Sequence, residues 1–177
     1  NLQFFIRTLH TFFGNIRRIK VLKMKKKIEI LAPAKDLIQG IAAINAGADA
    51  VYIGAPLYGA RSNATNSIED VAELVKYAHL FNAQVFVVIN TILYDNELES
   101  CRQMIWKLYH IGVDALIIQD MAIMEMELPP IVLHASTQAN NRDADKIKFL
   151  ADAGMKRVVL ARELNLHQIK EISEASD

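Results

Sequence analysis

His134, Ser136, Thr137, Gln138, Asn140 and Asn141 crowd onto the end of one apolar run, "IVLHASTQANN". An imidazole has a reference pKa near neutrality and can take or give a proton, while neighbouring amides can orient a ring or an amide of a ligand. The same residue types are also ordinary turn chemistry. Other apolar runs end in a similar way. Gln119 and Asp120 close "ALIIQD", Asn90 closes "QVFVVIN", and Arg162 and Glu163 follow "RVVLA"; Arg61 lies in the polar loop "GAPLYGARSNA". A guanidinium matches carboxylates and phosphates in a planar fork. On chemistry, His134 and Asp120 are the candidate catalytic groups. Arg61, Asn90, Gln119, Gln138, Asn140, Arg162 and Glu163 are the candidate substrate-binding groups. Each has a plainer reading: an inward histidine satisfied by its surroundings, a salt bridge for Arg61, and a helix start or an Arg162 partner for Glu163.

Several familiar constellations are missing. There is no HExxH, no metal-binding cysteine pair and no GxSxG elbow. Ser136 is too close to His134 on one strand to form a serine–histidine pair, whose members come from separate segments. Cys101 is the sole cysteine and falls in the helical pattern "LESCRQMIWKLYHIG", where a buried thiol is expected. One cysteine makes no internal disulfide, zinc site or iron–sulfur cluster, so no metal site is expected in the chain and a reducing, cytoplasmic setting suits it.

The elements that would position these groups alternate regularly. Short apolar runs lie at 28–31, 50–54, 84–89, 115–119, 131–134 and 157–161. Helical patterns follow them: one through Ile38, Ile41 and Ile44, then others near 67–80, 96–111, 142–153 and 165–175, with only a short helix after the fourth run. Ser67 with Asp70 three residues on has the form of a capping box. The runs hold Val and Ile at consecutive positions, as in a parallel sheet covered on both faces.

Gly47, Gly112 and Gly154 each end a helical pattern just before a strand, where glycine supplies a left-handed cap. Six βα units fit an open doubly wound sheet or an incomplete (β/α)8 barrel, which lacks two units. The first βα turn, "APAKD", has no spaced glycines, which weakens the dinucleotide-binding alternative. In either fold the chemistry lies beyond the carboxyl ends of the strands.

The 177 residues carry twenty basic and twenty acidic side chains, unevenly placed. Eight of the basic ones precede Glu29, the first acid, leaving twelve basic against twenty acidic groups in 28–177. An acidic body argues against broad nonspecific nucleic-acid binding, although a local basic cleft remains compatible with it. No stretch reaches the length of a membrane span. Residues 1–24 read as a basic, apolar leader, either an extension ahead of a start at Met24 or a helix closing one end. Residues 25–177 form the domain.

Six ordered segments carry a family resemblance: "EILAPAKDLIQGIAAINAGADAVYIG", "YGARSNATN", "NTILYDNELE", "GVDALIIQD", "LHASTQAN" and "RVVLAREL". Together they resemble the N-terminal part of the peptidase U32 family, the collagenase-like proteases, from about Ile28 to the end of the chain. The resemblance implies a TIM-barrel-like α/β domain, incomplete at about six βα units, with "HASTQ" at the ligand-facing end of the fifth strand. It further implies hydroxylation of a pyrimidine in transfer or ribosomal RNA, since members of the family do this and related members hydroxylate in ubiquinone synthesis. Such members bind an iron–sulfur cluster through cysteines in a segment beyond the part represented here, so no cofactor is expected within this chain. Lys35 departs from the family's "LAPAG": a lysine either reshapes that turn or adds a charge at the pocket entrance.

The first expectation is therefore part of an RNA hydroxylase, binding a small polar co-substrate, with RNA as a partner of the longer enzyme. Peptide hydrolysis and a non-catalytic binding module are the alternatives. In each case the open barrel edges call for cover by further polypeptide or an oligomeric partner.

Overall fold

The computed structural model describes residues 28–59 and 66–175; the leader and Arg61 lie outside them. The strands are β1 (Leu31–Ala34), β2 (Ala50–Gly54), β3 (Gln84–Ile89), β4 (Ala115–Ile118), β5 (Val132–Ala135) and β6 (Arg157–Val158). The helices are α1 (Leu37–Asn45), α2 (Ile68–Leu80), α3 (Leu98–His110), α4 (Ala144–Asp152) and α5 (Leu166–Ala175). A 3₁₀ turn at Met121–Glu125 stands where a helix between β4 and β5 would be.

All strand pairs are parallel and the order is β1-β2-β3-β4-β5-β6, without the reversal that marks a doubly wound sheet. An ion pair also bridges the two edges. Arg157 on β6 donates both terminal guanidinium nitrogens to Glu29, just before β1, at 2.9 and 2.8 Å. Five strand spacings would separate the edges of a flat sheet by about 24 Å, beyond the reach of one arginine and one glutamate. The sheet is therefore curled into an incomplete barrel.

Curling gives the sheet two different faces. Val51, Ile53, Val85, Val87, Ile89, Leu116, Ile118 and Ala135 face outward and are buried under the helices with Leu74, Ile105, Leu108 and Leu150. The inner face holds a smaller apolar group, Ala50, Phe86, Ala115 and Ile117, with Leu31, Tyr52 and Val88. Consecutive Val and Ile residues thus serve both layers, one face each.

Helix ends explain the element boundaries. Asp36 caps α1 by accepting from Gln39 N, Ser67 and Asp70 form the expected capping box of α2, and Asp143 caps α4. Gly47, Gly112 and Gly154 have φ of 96°, 87° and 111°. Behind them the N–H groups of Ala48, Val113 and Met155 reach back to the carbonyls of Ala43, Leu108 and Leu150, the pattern of a Schellman cap. The end of α2 repeats it with asparagine: Asn82 sits at φ 55° and Ala83 N bonds Ala78 O at 3.0 Å.

Several details differ from the sequence reading. The first strand is "LAPA" at 31–34, displaced from 28–31. It contains Pro33, which lacks an N–H yet fits because β1 is an edge strand with one neighbour. The last strand shrinks to two paired residues. Ile38 is 78% exposed, so α1 packs through Leu37, Ile41 and Ile44 instead. Among the described residues no helix is long and apolar enough to cross a membrane.

Candidate functional site

Parallel register sets which strand residues share the barrel interior. Gly54, Val88, Ile117, His134 and Arg157 are successive partners across β2 to β6. Side chains alternate along a strand, so His134 lies on the inner face with Ile117 and Val88. Asn90, Gln119 and Ser136 come two residues further along β3, β4 and β5 and fall on the same face, just past the strand ends. They form a polar layer above the row that holds His134.

His134 is 5% exposed, and its Nδ1 has no hydrogen-bond partner among the described residues. Its ring meets the ring of Phe86 edge-on, with centroids 4.8 Å apart at 85°. Burial, reinforced by the Arg157 charge and opposed by Glu29, pushes its pKa down to about 4. At neutral pH the imidazole is uncharged and can donate or accept a hydrogen bond; it is not poised as a proton carrier near pH 7.

Asp120 has a positional task. One carboxylate oxygen accepts Leu93 N and the other Ala122 N, both at 2.9 Å, which ties the loop after β3 to the end of β4. Gln119 and Asn90 are half-buried. Ser136 accepts Gln138 N through its hydroxyl at 3.2 Å and caps the 3₁₀ turn Thr137–Ala139. Asn140 closes that turn in the left-handed region at φ 57°, and both Gln138 and Asn140 are exposed. Glu163 pairs with Arg142 at 3.5 Å on the surface, while Arg162 beside it is exposed. The polar cluster after β5 therefore combines turn chemistry with a few groups open to a ligand.

Four structural partners were not among the candidate site residues. Asn141, fully buried, donates through Nδ2 to the carbonyls of Ser136 and Val159, joining the ends of β5 and β6. Asn66, also buried, donates to the carbonyls of Lys35 at 3.0 Å and Gly54 at 3.3 Å. Arg157 and Glu29 form the ion pair across the barrel, with the Arg157 guanidinium 5.4 Å from the Phe86 ring centre. Only the charge inside "KRVVL" hinted at Arg157; its nearness to His134 depends on register.

Lys35 sits in the first turn without a left-handed backbone. Its N–H bonds Gln39 Oε1 at 3.2 Å. Its exposed side chain puts a charge in the turn that follows β1.

The sequence profile of Peptidase family U32 matches residues 35–177. The chain belongs to this family. It is 56% identical over 151 residues to an Escherichia coli 23S rRNA 5-hydroxycytidine synthase, covering 85% of this chain and 23% of that protein. It is 36% identical over 156 residues to tRNA hydroxylation protein P1 of Bacillus subtilis, covering 86% and 37%. A collagenase of Porphyromonas gingivalis is 32% identical over 152 residues, covering 82% and 36%. The chain thus spans well under two thirds of these U32 relatives. Among solved structures, a U32 peptidase superposes with a TM-score of 0.71 at 14% identity, covering 88% of this chain and 68% of that one. This likeness agrees with the barrel curvature inferred from the Glu29–Arg157 contact.

Proposed function

We propose that this chain is the barrel portion of an enzyme that hydroxylates a pyrimidine in RNA, with a cytidine of ribosomal RNA as the first substrate to test. The observation that carries the reading is the 56% identity to the 23S rRNA 5-hydroxycytidine synthase, against 32% to the collagenase. The site is compatible with it. An enzyme acting on a base must expose that base and read its edge with hydrogen-bonding groups. The neutral His134 imidazole, with Gln119 and Asn90 above it, supplies donors and acceptors without a fixed charge. Gln138, Asn140, Arg162 and Glu163 are the rim groups proposed to hold RNA or a small polar co-substrate, with Arg61, outside the described residues, proposed for the same task from sequence.

Peptide hydrolysis finds less support among the described residues. Cys101 is buried in the helix layer, where desolvation first, then Glu97 and Asp120, push its thiol up to about 11. Ser136 accepts a backbone N–H, and its neighbour His134 lies on the same strand.

The iron–sulfur cluster used by related hydroxylases does not fit the residues seen here. Cys101 is the chain's sole cysteine, and no group of three or more His, Cys, Asp or Glu among the described residues is arranged to hold a metal. Any such cluster needs ligands from elsewhere, and no step is assigned to it. Further polypeptide or a second subunit is proposed to cover the edges of β1 and β6.

The test is complementation. The complete gene carrying this segment is expressed in a strain lacking its own 23S rRNA 5-hydroxycytidine synthase, and ribosomal and transfer RNA nucleosides are measured by mass spectrometry. Restored 5-hydroxycytidine is the expected result. If the expressed protein adds no hydroxylated pyrimidine to either RNA, the reading fails; protease activity in the same protein would then favour the collagenase relation.

A further inference from the structure

His134 is held in an unusual way for a buried histidine. Among the described residues Nδ1 has no partner, so no hydrogen bond from them at that nitrogen sets the ring's orientation. Packing contributes instead, through Phe86, which meets the ring edge-on. Phe86 is itself shared: the Arg157 guanidinium lies over its ring at 5.4 Å. Arg157 is in turn clamped by Glu29 through two charge-assisted bonds. Arg157 and His134 are also register partners on adjacent strands, so they share the inner face.

We propose that Arg157, clamped by Glu29 and laid over Phe86, is the positioning residue for His134, fixing the imidazole so that its unpaired nitrogen is kept for a ligand inside the barrel. The proposal deepens the RNA-hydroxylase reading and rests on it for the identity of that ligand. The guanidinium spends its fork on Glu29, so its role toward the ligand is indirect. An arginine is required for this, since a planar fork can bind a carboxylate along its edge while stacking on an aromatic face. Because Glu29 and Arg157 flank opposite edges of the sheet, the same contact links the posture of His134 to the curvature of the barrel.

The charged groups acting on His134 are Arg157 from β6 and Glu29 from the segment before β1, with Asp49 acting on Glu29 in turn. Two substitutions therefore pull in opposite directions. In the full-length protein with isotope-labelled histidine, the His134 resonance is assigned by its loss in His134→Asn and followed against pH by NMR. Arg157→Met is expected to raise its titration midpoint, and Glu29→Gln to lower it. Both variants are expected to raise KM for the RNA or co-substrate several-fold. Arg157→Lys, which keeps the charge and loses the fork, is expected to hold the midpoint low without restoring KM.

An unchanged midpoint and KM in Glu29→Gln would overturn the proposal, even if Arg157→Met fails to fold. Shifted midpoints in a protein that hydroxylates no RNA would leave the positioning role standing and remove the RNA reading. Hydroxylation with unshifted midpoints would do the reverse.

Discussion

Asp120 and Leu93 meet at 2.9 Å, a carboxylate oxygen accepting a backbone N–H from a loop 27 residues earlier. The second oxygen caps the turn that follows at Ala122. One side chain thereby fixes two loops at the ligand-facing end of the barrel. Replacing it with alanine strands two N–H groups, and Asp120→Ala is expected to cost about 2 kcal/mol in urea unfolding. Asp120→Asn, which keeps one acceptor oxygen, should cost less. If Asp120→Asn unfolds like the native protein but loses all activity, the carboxylate acts in the chemistry as well as in the scaffold.

Asn141 offers a comparable test at the other loop. It is fully buried and satisfies the carbonyls of Ser136 and Val159. Asn141→Ala leaves both acceptors without this donor, at a cost of roughly 1–3 kcal/mol. The change should also increase amide hydrogen exchange near residues 136–141 and 159–161. Asn140→Ala, one residue earlier and exposed, should cost about 1 kcal/mol through its left-handed backbone alone.

Gly40 of α1 lies against Leu74 of α2. A Cβ there would lie 2.6 Å from Leu74 Cδ1 and 2.8 Å from Cδ2, and Leu74 is fully buried. Gly40→Ala improves helix propensity by up to about 1 kcal/mol yet overpacks the interface by roughly 1–3 kcal/mol. Net destabilisation is expected in thermal unfolding. Pairing it with Leu74→Val should recover part of the loss, which a change acting only on the unfolded chain would not show.

The pH dependence of stability has a definite sign. His134 binds its proton near 6.5 when unfolded and near 4 when folded. Between those values the unfolded chain holds more protons, so this contribution is fully present above about pH 6.5 and is lost as pH falls towards 4. The shift corresponds to a loss on the order of 3 kcal/mol across that window. His134→Gln should flatten this part of the stability profile, measured by denaturant midpoints at successive pH values. A profile that keeps its full slope in His134→Gln would assign the effect to the carboxylates instead.

Much of the architecture was written locally. Caps at Asp36, Ser67 and Asp143 and left-handed glycines at 47, 112 and 154 act within a few residues of themselves, so the rhythm of strand and helix was readable. Asn82 does the same work as those glycines and escaped notice, because asparagine reaches the left-handed region less exclusively. Pro33 concealed the first strand for a related reason: it is acceptable only at an edge, and edges are a property of the whole sheet.

The site divides along the same line. From sequence came the set of polar residues past the strand ends, together with the family resemblance that the profile match bears out. Whether each group caps a turn, latches a loop or faces the interior depended on tertiary structure. Asn141 rather than Asn140 is buried because the chain turns between them, and Arg157 sits beside His134 because β5 and β6 pair in one register. Capping and turn preferences are short-range energies, fixed by neighbours along the chain. Register, curvature and the environment of a buried imidazole arise from contacts as far apart as Glu29 and Arg157, and only the folded barrel brings those together.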